Sequence, residues 1–444
     1  MTELRIAARQ LAELHQRMLA VAPAEAAAFL WTERSGSSLV VHDVRVFDQL
    51  EMDRRADALQ LDDDVQAAAL AEVKREGHTL VEVHTHPGSG SSVRFSSFDL
   101  QELPSFARYV RLKMPGRGFG ALVLGESGYQ GLLWSDEEPR PLTLRAVGEY
   151  LAQPSWLPGH EGSKAIEARY DRQLRALGPA GQRRLSYLRV GVVGLGGTGS
   201  QVVQQLAHLG VRDFCLVDDD RVDRTNLPRL AGAAWWDTYL RTRKSRVARR
   251  LIRRLGGRPR VDRYGELRSA GVLSALRQVD LIIGCVDNDG ARLVVSELAA
   301  AHLVPYLDVG VGVETGSQPP QIGGRVSFYL PGGPCLACAD EIDFGEAAED
   351  LEPEPLRRIR LARGYARDRE IEPALMPLNT VCVGLAMIET LAYVTGVRPV
   401  QPFARYDALR DRVTHINVDL NPECPVCRPA YGMGDRHAVD RYAK

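Results

Sequence analysis

Residues 188–206 read LRVGVVGLGGTGSQVVQQL. A short apolar run passes through glycines into a stretch with helical periodicity, which predicts strand, tight turn and helix. Gly194, Gly196 and Gly199 fit the pattern G-x-G-x-x-G, with Gly197 added. Glycines at such a turn let the backbone approach a phosphate closely, and the helix N-terminus that follows favours negative charge. The next apolar run ends in Asp218, about 20 residues on, where an acid can bond a ribose hydroxyl. Taken alone, this segment also describes an NAD dehydrogenase, and the bland alternative is a glycine turn that binds nothing.

Working outward, strand 188–194, helix 198–209, strand 213–218, a helix near 243–254 and strand 279–285 alternate. That rhythm predicts a parallel sheet with crossover helices, an α/β domain over 165–430. Residues 1–150 follow another pattern. An amphipathic helix is expected over 2–20, capped by Thr2, with Leu4, Ala7, Leu11, Leu14 and Met18 on one face. Strands are expected at 26–31, 38–47, 79–84, 119–124 and 129–134, and a helix at about 62–76. This is an α+β domain. Segment 151–164 holds two prolines, two glycines and no periodicity, and reads as a linker. Residues 431–444 are polar and are expected to form a frayed tail.

Length and composition agree with two domains. The 444 residues allow two or three. A net charge of -1 gives no reason to expect nucleic acid or an anionic membrane as partner. The N-terminus mixes charges with apolar residues and is not a signal peptide. Clean apolar stretches such as 281–286 are too short to span a bilayer, so a cytoplasmic location is expected. The seven cysteines are then not expected to form disulfides.

The residues around the glycine loop narrow the choice of nucleotide enzyme. RYDRQ (169–173) precedes it, DDDRVDRTNLPR (218–229) follows the second strand, Lys244 opens the next helix, and VDNDGAR (286–292) follows a hydrophobic strand. In this order the motifs resemble the ubiquitin-activating superfamily, most closely its bacterial MoeB and ThiF type, over roughly 165–430. The resemblance implies a Rossmann-like adenylation domain that binds ATP and Mg2+. It implies that Asp218 binds the ribose, that Asn226, Arg229 and Lys244 hold the phosphates, and that Asp287 is the magnesium ligand. It also implies that Arg172 reaches across a homodimer to the partner subunit's phosphates. The chemistry suits these roles. A carboxylate attacking the α-phosphate needs charge neutralisation and in-line positioning more than a side-chain base.

Cys335-Leu-Ala-Cys338 and Cys424-Pro-Val-Cys427 supply four thiolates in two close pairs. Four sulfurs around zinc make a closed, structural site. Redox chemistry is the alternative, and two such pairs in one chain argue against it.

A second metal pattern lies at 82–100, EVHTHPGSGSSVRFSSFDL. His84 and His86, at i and i+2 on a strand end, point to the same side. Asp99 can complete three ligands and leave a fourth position open, the layout of a catalytic zinc site. The pattern resembles the JAMM (JAB or MPN-plus) metalloproteases, whose fold is cytidine-deaminase-like and which remove ubiquitin-like proteins. The resemblance implies that Glu25, in PAEAAAFL, is the general base and that Ser96 stabilises the oxyanion. The nine residues between His86 and Ser96 exceed the family's usual spacing, and the excess is rich in glycine and serine. A JAMM domain that only binds the substrate is the alternative.

Both halves suit the flexible C-terminus of a ubiquitin-like or sulfur-carrier protein: one would adenylate it, the other would cut after it. A modification system would add a conjugating enzyme as partner. A sulfur-transfer system would use the JAMM half for trimming. The zinc expectation is one catalytic and one structural ion. The crossover segment 339–381 has no cysteine, and Cys382 lies in an apolar stretch that reads as a helix, so no thioester is expected. The adenylate would pass to an external acceptor, or Thr380 would form an oxyester. The basic segments 241–254 and 357–369 read as solvated helix faces, the second alternatively as a partner surface.

Overall fold

The computed structural model describes residues 2–48, 51–55, 58–148, 151, 167–255, 259–314, 320–353, 355–356, 358–359 and 373–442. In the N-terminal half, Thr2–Ala7 is strand β1, and only Ala8–Leu19 is helical (α1). The helix expected from residue 2 therefore starts later. The reason is tertiary: β1 pairs in parallel with both Ser38–Val46 (β3) and Arg140–Val147 (β9). Local propensity yields to that pairing. Leu11, Leu14 and Met18 still face the core, as their spacing predicts.

The remaining elements of this half are Ala27–Ser35 (β2), a small hairpin Met52–Arg55 (β4) and Ala58–Leu61 (β5), helix Asp63–Glu76 (α2), Thr79–Thr85 (β6), helix Ser97–Lys113 (α3), Phe119–Leu124 (β7) and Tyr129–Trp134 (β8). Strands close into a barrel in the order β1-β3-β2-β6-β7-β8-β9. Buried side chains form two cores, one holding Leu11, Leu14 and Met18 of α1, the other holding residues of α2 and α3.

The second half begins with helix Asp171–Tyr187 (α4). Arg189–Val193 (β10), Gly197–Leu209 (α5) and Asp213–Val217 (β11) follow, then Trp235–Tyr239 (α6), Lys244–Leu255 (α7) and Arg260–Tyr264 (β12). Ala270–Leu276 (α8), Leu281–Gly284 (β13), Asp289–His302 (α9), Tyr306–Glu314 (β14), Gln321–Tyr329 (β15) and Phe344–Leu351 (α10) come next, with Phe403–Asp407 (β16) and Arg412–His415 (β17) near the end. The eight-stranded sheet runs β12-β11-β10-β13-β14-β15-β16-β17. Pairs from β12 to β14 are parallel, as the strand–helix rhythm predicts, and the rest are antiparallel. Helix Met376–Thr395 is long and apolar enough to cross a membrane by length and composition, but it packs inside the protein. Its Cys382, Val383, Ala386 and Met387 belong to the core against the sheet.

The two halves are joined by polar contacts. Arg145, held by Glu3 of its own barrel at 3.0 Å, donates across to Asp280 at 2.8 Å. Arg5 donates to the Arg277 carbonyl at 2.9 Å. The linker expected at 151–164 lies outside the described residues apart from Leu151, whose N–H donates to the Tyr393 carbonyl at 2.8 Å. The tail is not frayed over residues 431–442. Two buried carboxylates hold it: Glu33 accepts from Arg436 at 2.8 Å, and Glu297 accepts from Arg441 at 2.7 Å and lies 3.1 Å from His437. Polar composition suggested disorder, but a buried carboxylate needs a cation, and the tail supplies it.

Candidate functional site

The loops leaving the C-terminal ends of β10, β11 and β13 face one cleft of about 2270 Å³. Gly194, Gly196, Gly197, Asp218, Arg229, Lys244 and Asp287 all line it. Gly194 has a φ of 84°, and a Cβ there would meet the Cys285 carbonyl oxygen at 2.5 Å. Only glycine allows that turn. Gly199 does not line the cleft. It packs so closely on the Gly194 carbonyl that a side chain would collide with it, so its role is to seat α5 against the loop.

Asp218 Oδ2 accepts from Leu195 N–H at 2.7 Å and Oδ1 from Asp220 N–H at 2.9 Å, which fixes the carboxyl beside the glycine loop. Burial pushes this carboxyl up to about 6, against the pull of Lys244. Lys244 Nζ lies 2.6 Å from Asp220 Oδ2. Arg229 donates to the Thr225 carbonyl at 3.0 Å. Asn226 is buried and does not line the cleft. Its Oδ1 accepts from Asp223 N–H at 3.1 Å and the Asp223 carboxylate accepts in return, so Asn226 shapes the turn that carries Arg229. Arg172 is exposed in the first turn of α4, outside the cleft.

Sequence reasoning assigned no role to Arg292, although it ends the quoted motif 286–292. It lines the cleft, donates to Asp289 Oδ1 at 2.5 Å and lies 3.5 Å from the fully buried Asp308. Burial would lower its pKa, but Asp308 and Asp289 outweigh that and raise it. It is a fixed cation on the cleft wall. The signal was weak because Asp308 is distant in sequence.

Cys335, Cys338, Cys424 and Cys427 place their sulfurs within 4.8 Å of one another. Three of the sulfur pairs are 3.6, 3.7 and 3.9 Å apart. Tetrahedral zinc with bonds of about 2.3 Å requires sulfurs about 3.8 Å apart, so the cluster fits such an ion.

In the barrel half, His84 is the penultimate residue of β6, His86 follows the strand's last residue, and α3 carries Asp99 to them. The Nε2 atoms of His84 and His86 lie 3.5 and 3.4 Å from Asp99 Oδ2. His86 Nδ1 is anchored on the Arg94 carbonyl at 2.9 Å, which turns Nε2 toward the cluster. His84 Nε2 is buried with no hydrogen-bond partner, an orphaned donor site that suits a metal. Burial would raise the Asp99 carboxyl, but the two imidazoles outweigh it and hold it well below the usual carboxylate range. The Asp99 contact, joined by Glu25 at 3.7 Å, raises His86 against the effect of burial.

Ser96 caps α3. Its Oγ accepts from Asp99 N–H at 3.1 Å, while its own N–H donates to Asp99 Oδ2 at 2.7 Å. That reciprocal cap holds the aspartate in place despite the long loop. The loop itself is pinned by Glu126, which accepts from Gly88 N–H at 2.5 Å and Gly90 N–H at 3.0 Å.

Residues 170–426, more than half of the chain, match the ThiF family. The chain belongs to the ThiF family. Residues 7–123 match the prokaryotic homologs of the JAB domain, so this ThiF-family chain carries a JAB domain at its N-terminus. It is 27% identical over 264 residues to the SAMP-activating enzyme E1 of Haloferax volcanii, covering 58% of this chain and 88% of that one. It is 31% identical over 272 residues to the sulfur carrier protein adenylyltransferase of Thermus thermophilus, covering 58% and 90%. Among solved structures, E. coli MccB with MccA-N7isoASN aligns with a TM-score of 0.48 and 20% identity, over 61% of this chain and 77% of that one.

Proposed function

We propose that this chain uses ATP to adenylate the C-terminal glycine of a ubiquitin-like protein, and that its JAB domain cuts peptide or isopeptide bonds beyond that glycine. The observation that carries the first half is the convergence of the glycine loop, Asp218, Arg229, Lys244 and Asp287 on one cleft. The names borne by the Haloferax and Thermus relatives support it. A carboxylate oxygen of the small protein attacks the α-phosphorus, an acyl–adenylate forms, and pyrophosphate leaves. Lys244, Arg229 and Arg292 neutralise the phosphates, and Asp218 holds the ribose. Magnesium held by Asp287 would add further charge neutralisation. Arg172, exposed and outside the cleft, is read as acting on the partner subunit's site in a homodimer.

For the JAB domain, His84, His86 and Asp99 are the zinc ligands, and zinc bound there would supply Lewis-acid polarisation. Glu25, beside His86, takes the proton from the attacking water. Ser96 spends its oxygen on the helix cap as an acceptor, which leaves its O–H to donate to an oxyanion. The four cysteines hold a structural zinc. A second reading, activation and trimming of a sulfur carrier, is favoured by the Thermus relative, 31% identical.

The test is intact-mass measurement of a small protein ending in glycine after incubation with the chain and ATP. A gain of one AMP is expected with wild type and none with Asp287→Ala. A wild type that leaves every such protein unmodified contradicts the reading.

A further inference from the structure

Helix α7 reads KSRVARRLIRRL and has two unlike faces. Ser245, Val247, Ala248 and Ile252 are buried. Arg246, Arg249, Arg250, Arg253 and Arg254 follow the i, i+3, i+4, i+7, i+8 spacing and form one stripe. Arg263, on the neighbouring edge strand β12, joins them. Among the described residues, these six arginines line a concavity of about 560 Å³.

Among the described residues the stripe is neutralised at one position alone. Arg250 is paired with Asp237 at 2.5 Å. Among the described residues no carboxylate lies within 4.0 Å of Arg246, Arg249, Arg253, Arg254 or Arg263. The nearby acid Asp262 alternates to the other face of β12, where it meets Arg189 at 3.1 Å and Arg260 at 3.4 Å. Residues 241–263 hold ten arginines and one acid in a chain of net charge -1. Like charges at these spacings repel. Burial and then the guanidinium groups of Arg249, Arg246 and Arg253 lower the pKa of Arg263. Solubility alone would be met by lysine and glutamate mixed along the face. Arginine supplies planar forks that fit phosphate oxygens two at a time.

We propose that this arginine concavity is a second anion site, outside the adenylation cleft, for a compact ligand carrying two or more phosphate groups. The stripe from Arg246 to Arg254 is about 12 Å long at 1.5 Å per residue, too short to track a nucleic-acid strand but ample for a phosphate chain. A nucleotide and a free polyphosphate share that chemistry.

Calorimetric titration of the full chain with inorganic tripolyphosphate tests the site. Wild type should bind it, and Arg249→Gln/Arg253→Gln should bind at least roughly tenfold more weakly without melting at a lower temperature. Lys244→Ala should keep the arginine-dependent binding. Unchanged affinity in the double variant, or complete loss in Lys244→Ala, overturns the proposal. So does tighter arginine-dependent binding of a short DNA duplex or of polyglutamate, which would make the surface one for an extended nucleic acid or an acidic protein. If the site holds, ATP and tripolyphosphate titrations of Lys244→Ala decide between the nucleotide and the free chain.

Discussion

Arg436 donates to Glu33 at 2.8 Å across the boundary between the chain's last residues and the second strand of the JAB barrel. Glu33 is 1% exposed and is also met by His78 at 2.6 Å and Arg117 at 3.4 Å. The segment 431–442 is thus a strap, and its docking is a measurable part of stability. Arg436→Ala should cost about 1–2 kcal/mol, discounted because the guanidinium is partly exposed. Gly434→Val should also destabilise, since Gly434 has a φ of 51° and lies tight on the Arg34 carbonyl. Burial would raise Glu33, but His78 and Arg436 outweigh it and lower its pKa. Its contribution is therefore complete above the ordinary glutamate value of 4.5 and is lost as pH falls through the lowered one. Chemical unfolding of both variants at neutral and acidic pH checks this.

Asp218 has the opposite sign. Its folded pKa of about 6 lies above the ordinary 3.8, so the folded state holds the proton more tightly and loses stability as pH rises between those values. The stability of Asp218→Asn relative to wild type should therefore improve by about 1 kcal/mol from pH 5 to pH 8. Parallel unfolding profiles for the two proteins would show that the carboxyl is not perturbed.

What the sequence disclosed and what it hid follow from range. The glycine loop, the parallel strands, the Cys pairs and the His84–His86 pair are legible because each is local: a period, a spacing or a turn residue carries it. The strand nature of Thr2–Ala7 was hidden because its partners in β9 lie more than a hundred residues away. Ser96 as a helix cap was legible in principle from Ser96-x-x-Asp99, the cap signature, but the same residues also fit the metal pattern. Arg292 and the docked tail depend on Asp308, Glu33 and Glu297, acids that no local pattern marks as buried. The expected basic surface at 357–369 falls almost wholly outside the described residues.

The two proposed metal sites lie on separate scaffolds and should be separable. Metal analysis should find two zinc ions in wild type and one in His84→Ala, with adenylation intact. Cys335→Ser should lose the other ion and melt well below wild type, because structural zinc contributes to folding. Glu25→Gln should keep both ions but lose cleavage of a linear fusion placed after the carrier's terminal glycine, by roughly 100-fold or more. Loss of both activities from His84→Ala would contradict separate sites.

No thioester should form on this chain. Burial pushes the Cys382 thiol up to about 11 and Cys215 up to about 12, and it raises Cys285 as well. Thiols so shifted are poor nucleophiles at neutral pH. Thr380 is bonded to Gln201 at 2.7 Å or to the Met376 carbonyl at 2.9 Å, with neither group a base. A non-reducing gel after incubation with ATP and carrier should show no adduct that thiol removes. An adduct abolished by Cys382→Ala would overturn this expectation, and one resistant to thiol but cleaved by mild base would point to Thr380.

The central claim is that the cleft of Asp218, Lys244 and Asp287 activates a carboxylate with ATP. Exchange of labelled pyrophosphate into ATP measures that step and nothing after it. Exchange should depend on a carrier protein ending in glycine, persist in His84→Ala, and fall by at least roughly 100-fold in Asp287→Ala. Exchange that proceeds at full rate without any carrier, or that survives Asp287→Ala, would contradict the account.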